Sequence, residues 1–493
     1  MKTTTQGKSI CMSADSYIWE ALKLACNKFD CKPAICFGDE TWSYKKLIDS
    51  INEVRQWLIS DVKEGPILFV PQNRPASLVF MLGSIASRKM PIFCDPSWTA
   101  TELEKVIHRC AVKAIVMEGN VPQGLVSFNF LSSLRNYQLF AVNISQDELS
   151  PVRVREDVAF GRFTSGTTAF SRCLQFSEEA ALNAARNWQE AAGISSEDRI
   201  LCLATLNNGL AFNTSLLSVL LVGATLILHP GRLVFSSLSK NLRAFNPSIL
   251  VAFPFIYQLL VSKEHISQLL SHLRLAVSSA APLSLDVLDI WKKQTGLGIC
   301  NYYGLVEVGP CTFNDGLNMD SLGVPLPGVQ IRITDNQGFA VPPEDVGQIR
   351  IKTQSMASDY LDTQAPSFAS HIDEYGYYMT QDRGLLTKEG HLILKGRLGR
   401  MINIAGRKID PEEVEETLHN LSGVNDVFVR AETSSNRTVV AAYIESCNVT
   451  RDEVVAFCLE RLAPYKRPQI INIMHKFPRS STGKILLTQI DGS

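Results

Sequence analysis

The sequence predicts an α/β chain of two unequal parts. A large N-terminal domain of mixed and parallel sheets with helices ends in a β-rich subdomain, and a small α+β C-terminal domain follows. Three observations predict this. Strand-like and helix-like segments alternate through most of the chain ahead of Gly396. From Gly323 the texture changes to short alternating strands between Gly, Pro and Asp turns. Beyond Arg400 the pattern becomes a compact helix, two strands and a second helix.

The elements follow in order. Residues 66–71, PILFVP, read as a short buried strand, 76–87 carry helical periodicity, and 90–94 are strand-like again. KAIVME at 113–118, ILCLA at 200–204, SILVAF at 248–253 and LRLAVS at 273–278 repeat the strand signal between helical stretches, as layered α/β sheets require. The most apolar run, 215–228, reads as a buried helix, a turn and a buried strand. It is shorter than a membrane span and is broken by Gly-Ala-Thr. GVPLPGVQIRITD, VGQIRIKT and HLILKGR form the β-rich subdomain, about 323–396. Residues 411–421 make an amphipathic helix that opens with proline and acids, both favourable at a helix N-terminus. Residues 424–430 and 438–444 are strands, and 451–462 a helix. The divide is expected at 396–400, giving domains 1–396 and 397–493.

Composition narrows the function classes. At 493 residues the chain is too long for one compact core, and 45% apolar with 20% charged residues is ordinary globular usage. A net charge of −1 provides no global field for nucleic acid, so any polyanion must bind locally. The N-terminus lacks an apolar stretch of export-signal length, so a cytoplasmic location and reduced cysteines are expected, twelve of them in all. Cys26, Cys31 and Cys36 are evenly spaced but show neither CxxC nor a nearby histidine pair, and they read as core or surface thiols rather than zinc ligands.

Five strings carry chemistry. FTSGTT at 163–168 is a hydroxyl- and glycine-rich turn after a strand, able to donate to phosphate oxygens, although an ordinary surface turn has the same composition. Tyr303 to Glu307 (YGLVE) offers an aromatic face for a purine, a tight glycine turn and a carboxylate for Mg²⁺. Asp382 in TQD can accept hydrogen bonds from a ribose. GRLGRMINIAGRKIDPEEVE at 396–415 crosses the expected divide. PRSSTGK at 478–484 ends in Lys484, a cation on a small polar loop. Each string alone has a bland reading; their order and spacing give them weight.

In that order the sequence resembles the adenylate-forming superfamily: acyl- and aryl-CoA synthetases, adenylation domains of peptide synthetases, and luciferases. TWSYKKL at 41–47, FTSGTT, SSAAPLS at 278–284, NYYGLVEVGP at 301–310, TQD, AGRKIDPEEVE and PRSSTGK carry the resemblance over nearly the whole chain. It implies MgATP-dependent activation of a carboxylic acid to an acyl-adenylate, then transfer to a thiol. By position it implies that Thr164, Ser165, Gly166, Thr167, Thr168 and Arg172 hold phosphates. Ala280, Ala281, Pro282, Asn301, Tyr303 and Gly304 lie against adenine, Asp382 and Arg397 hold ribose, and Glu307 holds Mg²⁺. Lys484 is the catalytic cation, carried on a mobile C-terminal domain that turns at Gly399.

The chain departs from the family pattern in several places. After FTSGTT it reads Ala169 to Cys173 in place of GxPKG, with Arg172 where lysine is usual. Val306 replaces a threonine, Gly399 replaces a charged hinge residue, and Ser279 and Ala280 replace glycines. Glu307, Asp382, Arg397 and Lys484 are retained, so an active enzyme is expected.

The resemblance places the acid pocket at 206–212 and around YGLVE, which gives Asn207, Asn208, Gly209, Tyr302 and Leu305 as substrate contacts. No acid stands in the first segment to pair an ammonium, so an aryl or other non-amino acid is favoured. Asn207 or Asn208 could meet a ring hydroxyl, and an N-cap at the start of a helix over 210–222 reads as well. Coenzyme A is the default acceptor, with a phosphopantetheinyl carrier protein as the alternative. A member that binds nucleotide without turnover is the non-catalytic reading. Oligomeric state is not legible.

Overall fold

Two large twisted sheets carry the N-terminal part. In the computed structural model the described residues are 16–62, 65–96, 98, 100–119, 128–144, 149–164, 172–229, 233–263, 266–279, 283–316, 321–363, 367–397, 402–404, 407–409, 411–434, 437–462, 464–480, 485–486 and 490. Among them, nine strands form one sheet in the order Val324–Pro325, Gly309–Phe313, Ile299–Leu305, Leu275–Ser278, Ile249–Ala252, Arg199–Cys202, Thr225–Leu228, Pro33–Phe37, Glu40–Ser43. The six strands from Ile299–Leu305 to Pro33–Phe37 run parallel to one another. Strands such as Ile249–Ala252 are buried at every residue, which is why they read as unbroken apolar runs.

Eight strands form the second sheet, in the order Asp359–Tyr360, Cys173–Ser177, Val158–Phe163, Pro91–Phe93, Ile67–Phe69, Ala114–Glu118, Tyr137–Val142, Phe128–Leu134. The helices between the strands are set by local signals. Glu178–Ala192 opens on Ser177, whose hydroxyl accepts from Ala180 N, carries Glu178 and Glu179 in its first turn, and stops at Gly193 in the left-handed region. Its Trp188 is fully buried, with edge contacts to Tyr302 and Phe313 at 5.3 and 5.0 Å, so this helix backs the strands that present the site.

The β-rich subdomain is a four-stranded antiparallel sheet of Val329–Thr334, Gly347–Thr353, Tyr378–Leu386 and Leu392–Arg397. Its boundary needs a correction: Val324–Pro325 extends the nine-stranded sheet instead, by pairing with Gly309–Phe313. Asp359–Tyr360, although within 323–396, pairs with the eight-stranded sheet.

Beyond residue 401 a separate apolar cluster gathers Ile409, Val414, Leu418, Val429, Ile444 and Val454. A three-stranded sheet of Asp426–Ser434, Arg437–Glu445 and Ile470–Met474 is covered by helices Pro411–His419 and Arg451–Arg461. The second helix starts with a complete capping box, Thr450 with Glu453. Among the described residues no helix is long and apolar enough to cross a membrane, and the cysteines are unpaired.

Candidate active site

The phosphate-loop candidate is the connection of a β-hairpin. Strands Val158–Phe163 and Cys173–Ser177 pair antiparallel, and the mouth between them is closed twice: Thr164 N donates to Arg172 O at 2.9 Å, and Arg172 N donates to the Thr164 hydroxyl at 3.2 Å. Ser165, Gly166, Thr167 and Thr168 lie outside the described residues. The Arg172 guanidinium stands over the Tyr360 ring at 5.4 Å, so this cation is oriented from the neighbouring edge strand.

The second string lies on strand Ile299–Leu305, in the nine-stranded sheet. Asn301 is set by its neighbours: its N–H donates to Asn314 Oδ1 at 2.6 Å, and its side chain donates to Ser321 O at 3.5 Å. Tyr302 and Tyr303 point to opposite faces, as strand geometry demands. Tyr302 is buried against Trp188 and accepts from Asn213 Nδ2 at 3.3 Å, which makes it a wall residue in the core. Tyr303 is half-buried, and its phenol donates to Asp382 Oδ2 at 2.6 Å. Asp382 is buried on Tyr378–Leu386 and has Arg397 opposite it in register on Leu392–Arg397. Candidate nucleotide residues from two different sheets therefore meet.

The tight turn expected at Gly304 is not there. Gly304 is a strand residue, and the left-handed backbone falls at Gly309, φ +78°. Gly304 is needed for close approach, because a Cβ there would stand 2.7 Å from Gly309 O. Leu305 is half-buried against the core, and Glu307 is half-buried in the turn, its carbonyl accepting from Ala357 N at 2.8 Å. Among the described residues no cluster of three or more His, Cys, Asp or Glu could hold a metal ion. One partly exposed carboxylate is nonetheless a donor set suited to Mg²⁺, which keeps its waters and takes one or two carboxylates together with substrate phosphates.

The acid segment is held from the other sheet. Asn73 donates to Ala204 O at 3.1 Å and accepts from Leu206 N at 2.9 Å. Asn208 is a cap: its Oδ1 accepts from Leu210 N at 2.9 Å and opens the helical stretch that begins at Gly209. Of the two readings the sequence offers for this asparagine, the local bond is that of the N-cap. Asn207 Oδ1 is buried and has no hydrogen-bond partner among the described residues, which leaves Asn207 available for a polar substrate group. The stretch from Gly209 is not one α-helix. Phe212–Leu216 is a π-turn, which carries Asn213 to Tyr302. Sequence reading missed Asn73, Asn213 and Arg162, a buried arginine just ahead of the phosphate loop. The signal for Arg162 was a lone charge two residues before Thr164 in an otherwise apolar strand. Ala280, Ala281, Pro282, Gly399 and Lys484 lie outside the described residues, as does the Arg397 side chain.

Comparisons with known proteins bear on the family and the fold. A family model described as AMP-binding enzyme matches residues 22–361, and one described as AMP-binding enzyme C-terminal domain matches 413–484. The 2-succinylbenzoate–CoA ligase of Enterococcus faecalis is 26% identical, with 92% of this chain and 94% of the relative covered. An uncharacterized acyl–CoA ligase of Bacillus subtilis is also 26% identical, over 90% of this chain and 89% of the relative. Among solved structures, ATP-bound MatB from Rhodopseudomonas palustris superposes with a TM-score of 0.82 at 19% identity, covering 96% of this chain and 98% of MatB. O-succinylbenzoate coenzyme A synthetase from Bacillus subtilis, in complex with AMP, gives 0.81 at 19% identity, with 97% and 99% covered. With one family model matched over more than half its length and the C-terminal model following in order, the chain belongs to the AMP-binding enzymes, the adenylate-forming superfamily.

Proposed function

We propose that this protein is an AMP-forming acid–thiol ligase that joins a non-amino carboxylic acid to coenzyme A. The observation that carries this reading is the 2.6 Å bond between Tyr303 and Asp382, which brings the adenine and ribose candidates together from positions 79 residues apart. The relatives named as CoA ligases across nine-tenths of the chain support coenzyme A, rather than a carrier protein, as the acceptor.

In the first half-reaction an oxygen of the substrate carboxylate attacks the α-phosphorus of ATP, and the bond to pyrophosphate breaks. In the second, the thiol sulfur attacks the acyl carbon, AMP leaves, and the thiol proton passes to solvent. Catalysis of the first step is mainly positioning and charge neutralisation. Thr164 and the loop it opens hold phosphates, with Arg172 at the loop's exit. Asp382 and Arg397 hold the ribose, and Tyr303 lies along the base. Glu307 would hold Mg²⁺, whose charge offsets that of the phosphates. Lys484 neutralises the carboxylate and α-phosphate oxygens. Residues 1–396 and 397–493 are the two domains of this reading, with the hinge at Gly399, just inside the second.

A screen of aryl, aliphatic and amino acids for acid-dependent pyrophosphate release, with coenzyme A then added to the hits, tests the proposal. Release followed by thioester formation is expected; ATP binding without release for any acid overturns it.

A further inference from the structure

Arg162 has no role in the scheme above, and its surroundings are unusual. It is 4% exposed, and its Nε has no hydrogen-bond partner among the described residues. No ion pair with it is formed among them. Two aromatic rings carry the guanidinium, Phe212 at 4.8 Å and Phe176 at 5.9 Å, and ring faces attract a cation without accepting its N–H bonds as an oxygen does. Burial pulls this guanidinium down to about 10, opposed by Tyr302 and Glu307.

The position of that charge is informative. On strand Val158–Phe163, Phe160 and Arg162 share a face, and Phe160 packs on Phe212 at 4.8 Å. The guanidinium thus reaches the first turn of the acid segment. A Cβ on Gly209 would stand 2.9 Å from Arg162 Nη2, so glycine there leaves the fork its room. Gly209 and Tyr302 both belong to the segments assigned to the acid. A buried arginine whose Nε lacks an acceptor is unfavourable unless an anion completes it, and its planar fork matches a carboxylate in two-point contact.

We propose that Arg162 is the counter-charge of the acid pocket, and that the acid activated here carries a second carboxylate, which the Arg162 fork receives while the first carboxylate meets ATP. This rests on the ligase reading and names its substrate class, a dicarboxylic acid. A phosphate of ATP offers Arg162 the same oxyanion chemistry, and the test separates the two.

The probes are non-hydrolysable acyl-sulfamoyl adenosines built on aliphatic and benzene dicarboxylic skeletons, each with its far carboxylate free or as the methyl ester. Binding to the wild-type protein, Arg162→Leu and Arg162→Gln is measured by calorimetry. On at least one skeleton the free acid is expected to bind the wild type about thirtyfold or more tighter than its ester. In Arg162→Leu that preference is expected to fall within threefold of unity, with ATP affinity changed less than threefold. Three results overturn the inference: no preference in the wild type on any skeleton, a preference that survives both substitutions, or a loss of ATP affinity that matches the loss for the free acid. Failure of both variants to fold overturns it too, since Arg162 would then be a structural residue. Pyrophosphate release with the same acids is read in parallel. Carboxylate preference without release for any acid contradicts the ligase reading alone: Arg162 would then still receive a carboxylate, but not that of an activated acid.

Discussion

The phenol of Tyr303 donates to Asp382 Oδ2 at 2.6 Å, and this bond joins the last parallel strand of the nine-stranded sheet to the four-stranded sheet. It fixes the carboxylate of a buried aspartate whose backbone N–H donates to the Thr380 hydroxyl at 3.0 Å. Tyr303→Phe should weaken MgATP binding by about 1.5–3 kcal/mol, the worth of a hydrogen bond to a charged group. In a double-mutant cycle with Asp382→Ala, the second change should add less than it does alone. Calorimetric titration checks this, and full additivity would separate the two residues functionally.

Glu307 sits in the turn after Leu305, half-buried, with its backbone anchored to Ala357. Glu307→Gln keeps the shape and removes the charge. The Mg²⁺ concentration that half-saturates adenylation should rise about tenfold, one carboxylate being a large share of an oxygen donor set. Pyrophosphate release against Mg²⁺ concentration reads it.

Lys484 is assigned to the first half-reaction alone. Lys484→Ala should lower acid-dependent pyrophosphate release by about a hundredfold or more, the scale of losing one preorganised charge donor. Thioester formation from supplied acyl-adenylate should fall far less. Equal losses in both halves would contradict the assignment.

Asp198 anchors the base of the nine-stranded sheet. Its carboxylate is buried, which by itself would raise its pKa. Arg274 donates to it at 2.8 Å from both Nε and Nη2, the Ser195 N–H and Ser248 hydroxyl donate as well, and the group is pulled down to about 2 from an ordinary 3.8. A lowered folded-state value makes this stability fully present above about pH 4 and lost as the pH falls through about 2. Asp198→Asn should destabilise the protein by about 2 kcal/mol at pH 7, with the difference from wild type shrinking below pH 4. Thermal melts from pH 7 to pH 2 check both.

Much of the fold is legible because parallel strands buried on both faces, such as Ile249–Ala252, must be apolar throughout. The candidate site is legible where the chemistry needs particular side chains in sequence, as at Tyr303 to Glu307 and at Asp382. It is not legible where the partner is distant in the chain. Asn208 has the composition of a ligand and the geometry of a cap, because its own helix supplies the N–H. The π-turn at Phe212–Leu216 has no sequence signature, and the link from Asn213 to Tyr302 depends on it. Arg162 reads as one charge in a strand; only the fold shows that Phe212, Phe176 and Gly209 enclose it.

The most direct measurement is pyrophosphate release by the wild-type protein with MgATP and each member of a carboxylic-acid panel, followed by thioester detection after coenzyme A is added. The ligase account predicts release that depends on the acid and a thioester that depends on coenzyme A. Tight ATP binding with no release for any acid would contradict it and leave a nucleotide-binding protein without turnover.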